Sequence, residues 1–285
     1  MAKRYWPLIL IALLAPAVAA AATAGETPKP SFEEVEFVSH GATLSGSIAW
    51  PAAGNTRAAI VFIHGSGKQT RNAALAERFA QAGIAALVYD KRGVGKSGGD
   101  YEFNRNVSED NLLLLADDAG AGLKLLAARK ELANKPVGFA GISQAGWIAP
   151  LAAQRSGAAD FLVLWSGPVC KVSEEDIYSK YTKDSDAKTV PTYRQALNSR
   201  TQEYIWPDFM GADTDPAASL RQLSIPGLWI FSDNDGSIPV DLSIERLKAL
   251  QAGRRYEFVL VSGLGHENMD GTFTTATDWI RQLSR

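Results

Sequence analysis

Cysteine is almost missing from this sequence. Cys170 is the single thiol in 285 residues, so no internal disulfide forms and a cystine-stapled scaffold is excluded. Histidine is nearly as scarce: His40, His64 and His266 lie far apart, with no His-x-x-x-His pair and no cysteine partner, so neither a metal nor a cofactor is expected. Neither sign of charge prevails. The 29 basic and 31 acidic residues leave a formal net charge of -2, which gives no reason to expect nucleic acid or an anionic membrane as a partner. Internal repeats and low-complexity tracts are absent. A phosphate loop is absent as well: Gly95-Lys96-Ser97 has its ending, but Asp90 stands where that loop needs its first glycine.

What remains is a composition that is 46% hydrophobic and 21% charged, which suits a soluble protein with one large α/β domain and a full core. At the N-terminus Lys3 and Arg4 precede the apolar run Leu8-Ile-Leu-Ile-Ala-Leu-Leu14, and small residues follow up to Ala24. That run is shorter than the roughly 20 residues of a membrane-spanning helix. With Ala22-Thr23-Ala24 as an Ala-x-Ala site, residues 1–24 read as a cleaved signal peptide, and an uncleaved anchor is the alternative. Residues 25–285 then form the mature domain, expected in the periplasm or secreted, without stable membrane insertion after cleavage.

Along the mature chain, strand and helix patterns alternate. Residues 32–51 alternate apolar and polar around Ser39-His40-Gly41-Ala42, predicting a hairpin with His40 solvated in its turn. Continuous apolar runs at 58–63 and 161–165 predict buried strands, and the segments 85–89, 137–142, 227–231 and 256–261 predict further strands. Helical patterns lie between them, at 72–81, 110–132, 145–156, 240–251 and 271–283, with Pro150 expected to kink the third or cost it a hydrogen bond. Residues 168–224 break the rhythm. They are mixed in charge, carry Tyr178, Tyr181, Tyr193, Tyr204, Trp206 and Phe209, and read as a helical insertion covering a site. Repeated βα units imply a mainly parallel sheet with helices on both faces, whose ligands collect at the carboxyl ends of the strands.

The polar clusters all fall at those ends: His64-Gly-Ser-Gly67, residues 90–99, Ser143, Asp233 with Asp235, and His266. The stretch Gly141-Ile-Ser-Gln-Ala-Gly146 has the form of a nucleophile elbow. In that turn the serine is strained, small residues must flank it, and the next amide, here Gln144 N–H, faces a developing oxyanion. A serine needs a base, and the base needs an orienting acid. His266, in the glycine-flanked loop after the last strand, is the candidate base. Asp235 is the preferred acid and Asp233 the second candidate, although Asp233 fits better as a turn-forming aspartate. His64 reads as a structural residue beneath its loop, Asp90-Lys-Arg-Gly93 as a loop-bracing salt bridge and turn, and Cys170 as chemically idle.

On these residues the mature chain resembles the α/β-hydrolase superfamily, and bacterial members near the serine aminopeptidases and dienelactone hydrolases. The resemblance implies the α/β-hydrolase fold with a helical cap inserted after the sixth strand. It also implies Ser143 as nucleophile, His266 as base and Asp235 as acid, and an oxyanion hole from the amides of Gln144 and Ser66. Ala145 departs from the usual glycine of the elbow. The expected activity is acyl transfer to water from a small carboxylic ester, with an amide or aminopeptidase substrate as the alternative. A non-catalytic binding protein on the same fold is the rival, and the complete Ser–Asp–His order counts against it. The aromatic insertion suggests an apolar acyl or alcohol pocket, and no acidic cluster strong enough for an amine site stands out.

Overall fold

Strands β1 (Ser31–Ser39) and β2 (Ala42–Trp50) form the hairpin that the alternation predicts, with Val35, Phe37, Leu44 and Ile48 all buried. His40 and Gly41 both take positive φ between the paired Ser39 and Ala42, the geometry of a two-residue turn whose twist matches its strands. The computed structural model describes residues 29–52, 54–251 and 253–283. The signal peptide expected at residues 1–24 lies outside the described residues.

Six further strands follow: β3 (Ala58–Ile63), β4 (Ile84–Tyr89), β5 (Val137–Ile142), β6 (Leu162–Trp165), β7 (Gly227–Ser232) and β8 (Tyr256–Val261). They pair in parallel, and with the antiparallel hairpin they make one eight-stranded sheet of order β1-β2-β4-β3-β5-β6-β7-β8. Period-two alternation divides the core. In β3, Ala59, Val61 and Ile63 face one cluster, while Ala58, Ile60 and Phe62 face the other. The first cluster takes helices α2 (Glu109–Ala127), α3 (Ala145–Ser156) and α7 (Val240–Leu250), and the second takes α1 (Ala73–Gln81) and α8 (Met269–Gln282).

Capping sets several boundaries. The Asn72 side chain accepts from Leu75 N–H at the start of α1, and the Ser108 hydroxyl from Asn111 N–H at the start of α2. The helix predicted at 110–132 stops five residues early, at Ala127, and the chain tightens into a single turn of 3₁₀ helix at Lys130–Leu132. Arg129, just beyond the break, has extended backbone and pairs with Glu33 on β1. Helix α3 continues across Pro150, whose ring forgoes one backbone donor. His40 is exposed but not free in solvent, because its Nε2 lies 2.8 Å from Asp117 Oδ2.

Between β6 and β7, residues 166–226 carry α4 (Val172–Thr182), α5 (Tyr193–Asn198), a 3₁₀ turn at Asp208–Met210, and α6 (Pro216–Leu220). Among the described residues no helix is long and apolar enough to cross a membrane.

Candidate active site

Because β3 to β8 run parallel, their C-terminal loops emerge on one rim, and that rim gathers Ser66, Ser143, Asp235 and His266. Ser143 follows β5 with φ of 57°, a left-handed conformation that a non-glycine residue holds only under strain. Hydrogen bonds fix it there: Ser143 N–H donates to Trp165 O at 2.9 Å, and its own carbonyl accepts from Gly146 N–H at 2.8 Å. The turn is so tight that a Cβ on Gly141 would lie 2.5 Å from Ala145 Cβ and 2.7 Å from Ile63 O. Ala145 is therefore accommodated in the elbow because Gly141 has no side chain. Gly146 meets a similar limit against Pro168, at the start of the β6–β7 insertion.

His266 turns Nδ1 toward Asp235, 2.9 Å from Oδ2 and 3.0 Å from Oδ1. The Asp235 carboxylate is fully buried, and Oδ1 also accepts from the amides of Ser237 at 2.9 Å and Ile238 at 3.1 Å. Burial of the imidazole disfavours its charge. The hydrogen bond and charge of Asp235, with Glu267 and Asp186 adding to them, outweigh burial and hold the pKa above its ordinary 6.5. Asp233 points elsewhere: it accepts from the Ser262 hydroxyl and Gly263 N–H, bracing the loops after β7 and β8. With Nδ1 engaged by a carboxylate, Nε2 is the nitrogen left to exchange a proton with a neighbouring hydroxyl.

Ser143 and His266 line two cavities. The one on the insertion side, about 280 Å³, is completed by Ser66, Trp147 and Ile238 together with Glu175, Ser179 and Asp184. The other, about 370 Å³, reaches past Ser66 to Phe62, Leu75, Val88 and Met269. The expected apolar insertion pocket needs correction, because none of the insertion's aromatics lines either cavity beside Ser143. Tyr178 donates to the carbonyls of Pro191 and Asp235, Tyr204 to Asp176, and Trp206 to Gly211. What the insertion gives to the cavity is polar and acidic. Burial, then the charges of Asp184 and Asp176, pushes the Glu175 carboxyl up to about 8.

Several positions that shape the site carry no sequence motif. Asp186 in the insertion accepts from Gly236 N–H at 2.9 Å and from His266 N–H at 3.0 Å, tying the loops of the acid and the base together. The Ser166 hydroxyl donates to His266 O at 2.8 Å, and Ser232 and Asn234 accept from Gly265 N–H. His64 is buried under its loop edge-on to Tyr89, and burial lowers it to about 4, so it stays neutral. Asp90 bonds Arg71 and Lys96 N–H, and Arg92 forms a buried ion pair with Asp118. Burial raises the Cys170 thiol far above its ordinary range, which keeps it protonated. Among the described residues no three His, Cys, Asp or Glu side chains gather as a metal site requires.

Known proteins resemble this chain in sequence and fold to different extents. The family model for serine aminopeptidase, S33, matches residues 54–204, just over half of the 285-residue chain. The polyketide transferase claH of Penicillium crustosum is 32% identical over 154 residues, 52% of this chain and 48% of its own. Esterase EstD of Thermotoga maritima is 26% identical over 266 residues, 85% of this chain and 61% of its own. The chain thus spans about half to three-fifths of the length of these curated relatives. Among solved structures, the Pyrococcus furiosus esterase Pf2001 superposes with a TM-score of 0.62 at 17% identity, covering 92% of this chain and 94% of that one. The Pyrococcus horikoshii acylaminoacyl peptidase gives 0.63 at 17%, covering 90% of this chain and 41% of that one. At such identities these two likenesses speak for the fold. With the matched family model spanning the elbow, the chain belongs to the serine aminopeptidase S33 family of α/β-hydrolases.

Proposed function

We propose that this protein is a serine hydrolase that cleaves small carboxylic esters through an acyl-enzyme on Ser143. The observation that carries this reading is the pairing of the buried Asp235 carboxylate with His266 Nδ1, beside a cavity that the strained Ser143 also lines. In the proposed reaction Ser143 Oγ forms a bond to the carbonyl carbon while its proton passes to His266 Nε2. The carbonyl π electrons move onto oxygen, and that oxyanion faces the amides of Gln144 and Ser66. His266 returns the proton to the departing alkoxide as the C–O bond breaks. Water then repeats the sequence and frees the acid. Ester cleavage asks least of this machinery, since an alkoxide can leave with little help whereas an amide nitrogen must be protonated before the C–N bond breaks.

A second reading has its own support. Glu175 and Asp184 on the cavity wall, both held above the ordinary carboxylate range by burial, would ionise against a substrate ammonium, which favours aminoacyl amides. A series of p-nitrophenyl esters from acetate to palmitate, run beside aminoacyl p-nitroanilides on wild type and Ser143→Ala, tests both. Activity that peaks on short esters and is lost in the variant supports the first reading. Turnover confined to the anilides transfers the assignment to the second. Export from the cytoplasm is also proposed, on the pattern of residues 1–24, and N-terminal sequencing of the mature protein tests it by finding Gly25 first.

A further inference from the structure

Lys91 is a buried ammonium, only 3% exposed, whose contacts are neutral oxygens. Its Nζ donates to Gly65 O at 2.9 Å, to Gly67 O at 3.3 Å and to Gln144 Oε1 at 2.8 Å, so three donors meet three acceptors. Desolvation lowers it to about 8, the signature of a cation kept from water. Its main chain joins in, with Lys91 N–H donating to Gln69 O at 3.0 Å, and Gln69 Nε2 closes the loop onto Ser66 O at 3.1 Å. Gln144 is held from its other end, its Nε2 donating to Asn106 O at 2.8 Å.

The acceptors decide what this lysine does. Gly65 O and Ser66 N–H belong to one planar trans peptide unit, so they point in opposite directions. A cation that pins the oxygen fixes the direction of the N–H, and polarising the carbonyl also strengthens the N–H as a donor. This peptide lies beside the nucleophile: a Cβ on Gly65 would sit 3.5 Å from Ser143 Cβ. The third contact reaches Gln144, whose main-chain amide is the other proposed oxyanion donor. One ammonium thus links both halves of the hole from behind.

We propose that Lys91 is the positioning residue of the oxyanion hole, holding the Gly65–Ser66 peptide and the Gln144 turn in register so that both amides face the substrate oxygen. The proposal rests on the serine-hydrolase reading above. It separates from that reading because Lys91 is placed to affect the transition state while leaving Ser143 and ground-state binding intact.

The test compares wild type, Lys91→Met and Lys91→Gln by kcat, KM and thermal unfolding, together with the Ki of an aryl trifluoromethyl ketone. Addition of Ser143 to that ketone forms a hemiketal whose oxyanion occupies the hole. The methionine variant is expected to keep KM within about twofold, while kcat falls and Ki rises together by about 10- to 100-fold. The glutamine variant, with a neutral donor, should fall between it and wild type. Either folded variant with wild-type kcat and Ki overturns the proposal. So does failure of both variants to fold, which would make Lys91 a support of the fold alone. Wild type that neither turns over ester nor binds the ketone removes the underlying reading, and this assignment with it.

Discussion

Replacing Asp235 by asparagine tests the site at its most constrained atom. Oδ1 is fixed by the amides of Ser237 and Ile238, and an asparagine keeps those bonds by presenting its carbonyl oxygen to them. The amide nitrogen must then occupy the place of Oδ2, 2.9 Å from His266 Nδ1. An N–H aimed at Nδ1 forces the imidazole proton onto Nε2, the nitrogen that should accept the serine proton. A triad locked in that tautomer loses about 10⁴ in kcat, or about 5 kcal/mol of barrier. The fold should survive, because the buried donors stay paired. The pH profile adds a second signature. In wild type the imidazole titrates above 6.5, so kcat/KM rises as pH climbs through that raised value. The stability from the ion pair runs the other way: it is fully present below the ordinary value and is lost as pH rises through the raised one. In Asp235→Asn the ring keeps its burial and the smaller influence of Glu267 and Asp186 but loses the bond and charge that raise it most, and the rising limb of activity moves to lower pH. The assay is p-nitrophenyl acetate hydrolysis from about pH 5 to about pH 9, with thermal unfolding alongside. Turnover within about tenfold of wild type across that range would refute the reasoning.

Other perturbations follow from contacts in the same structure. Asp118→Ala leaves the Arg92 guanidinium buried without its partner and should cost about 3–5 kcal/mol, read as a lowered midpoint in urea unfolding. Gly141→Ala drives a methyl into Ala145 Cβ and Ile63 O, and should destabilise by about 1–3 kcal/mol while displacing Ser143, so activity falls further than stability accounts for. Asp186→Ala frees the amides of Gly236 and His266 and should lower kcat by roughly tenfold, whereas Asp233→Asn should leave kcat within about twofold, because Asp233 bonds Ser262 and Gly263 rather than the acid or the base, and an asparagine keeps an acceptor for them.

Much of this architecture is legible in the sequence because it is written locally. Most of the parallel strands are short apolar runs, and the parallel order follows from the βα rhythm. Ser143 and His266 announce themselves through glycine-bounded loops. Asp235 separates from Asp233 by one chemical difference that coordinates make plain: one carboxylate is buried against an imidazole, and the other accepts from an exposed serine. What sequence conceals are contacts between distant segments. Asp186 lies 80 residues from the histidine it holds, in an insertion without periodicity. Lys91 sits 53 residues from Gln144, in a segment that reads as a loop-bracing salt bridge and turn and gives no sign of that contact. The aromatics of the insertion suggested a greasy pocket, yet aromatic content says nothing about which face a ring turns to, and here the carboxylates face the cavity. The early end of α2 is hidden because residues 128–132 have ordinary helix propensity, so nothing in their composition marks the break at Arg129.

The claim at the centre is that Ser143 is a nucleophile activated by His266, and a fluorophosphonate probe tests it most directly. Wild type should lose ester turnover as the probe adds covalently to Ser143, located by mass spectrometry of the peptide. Ser143→Ala should take up no label, and His266→Ala should label far more slowly. Folded wild type that takes up no probe, or a Ser143→Ala variant that still hydrolyses the ester, would contradict the account.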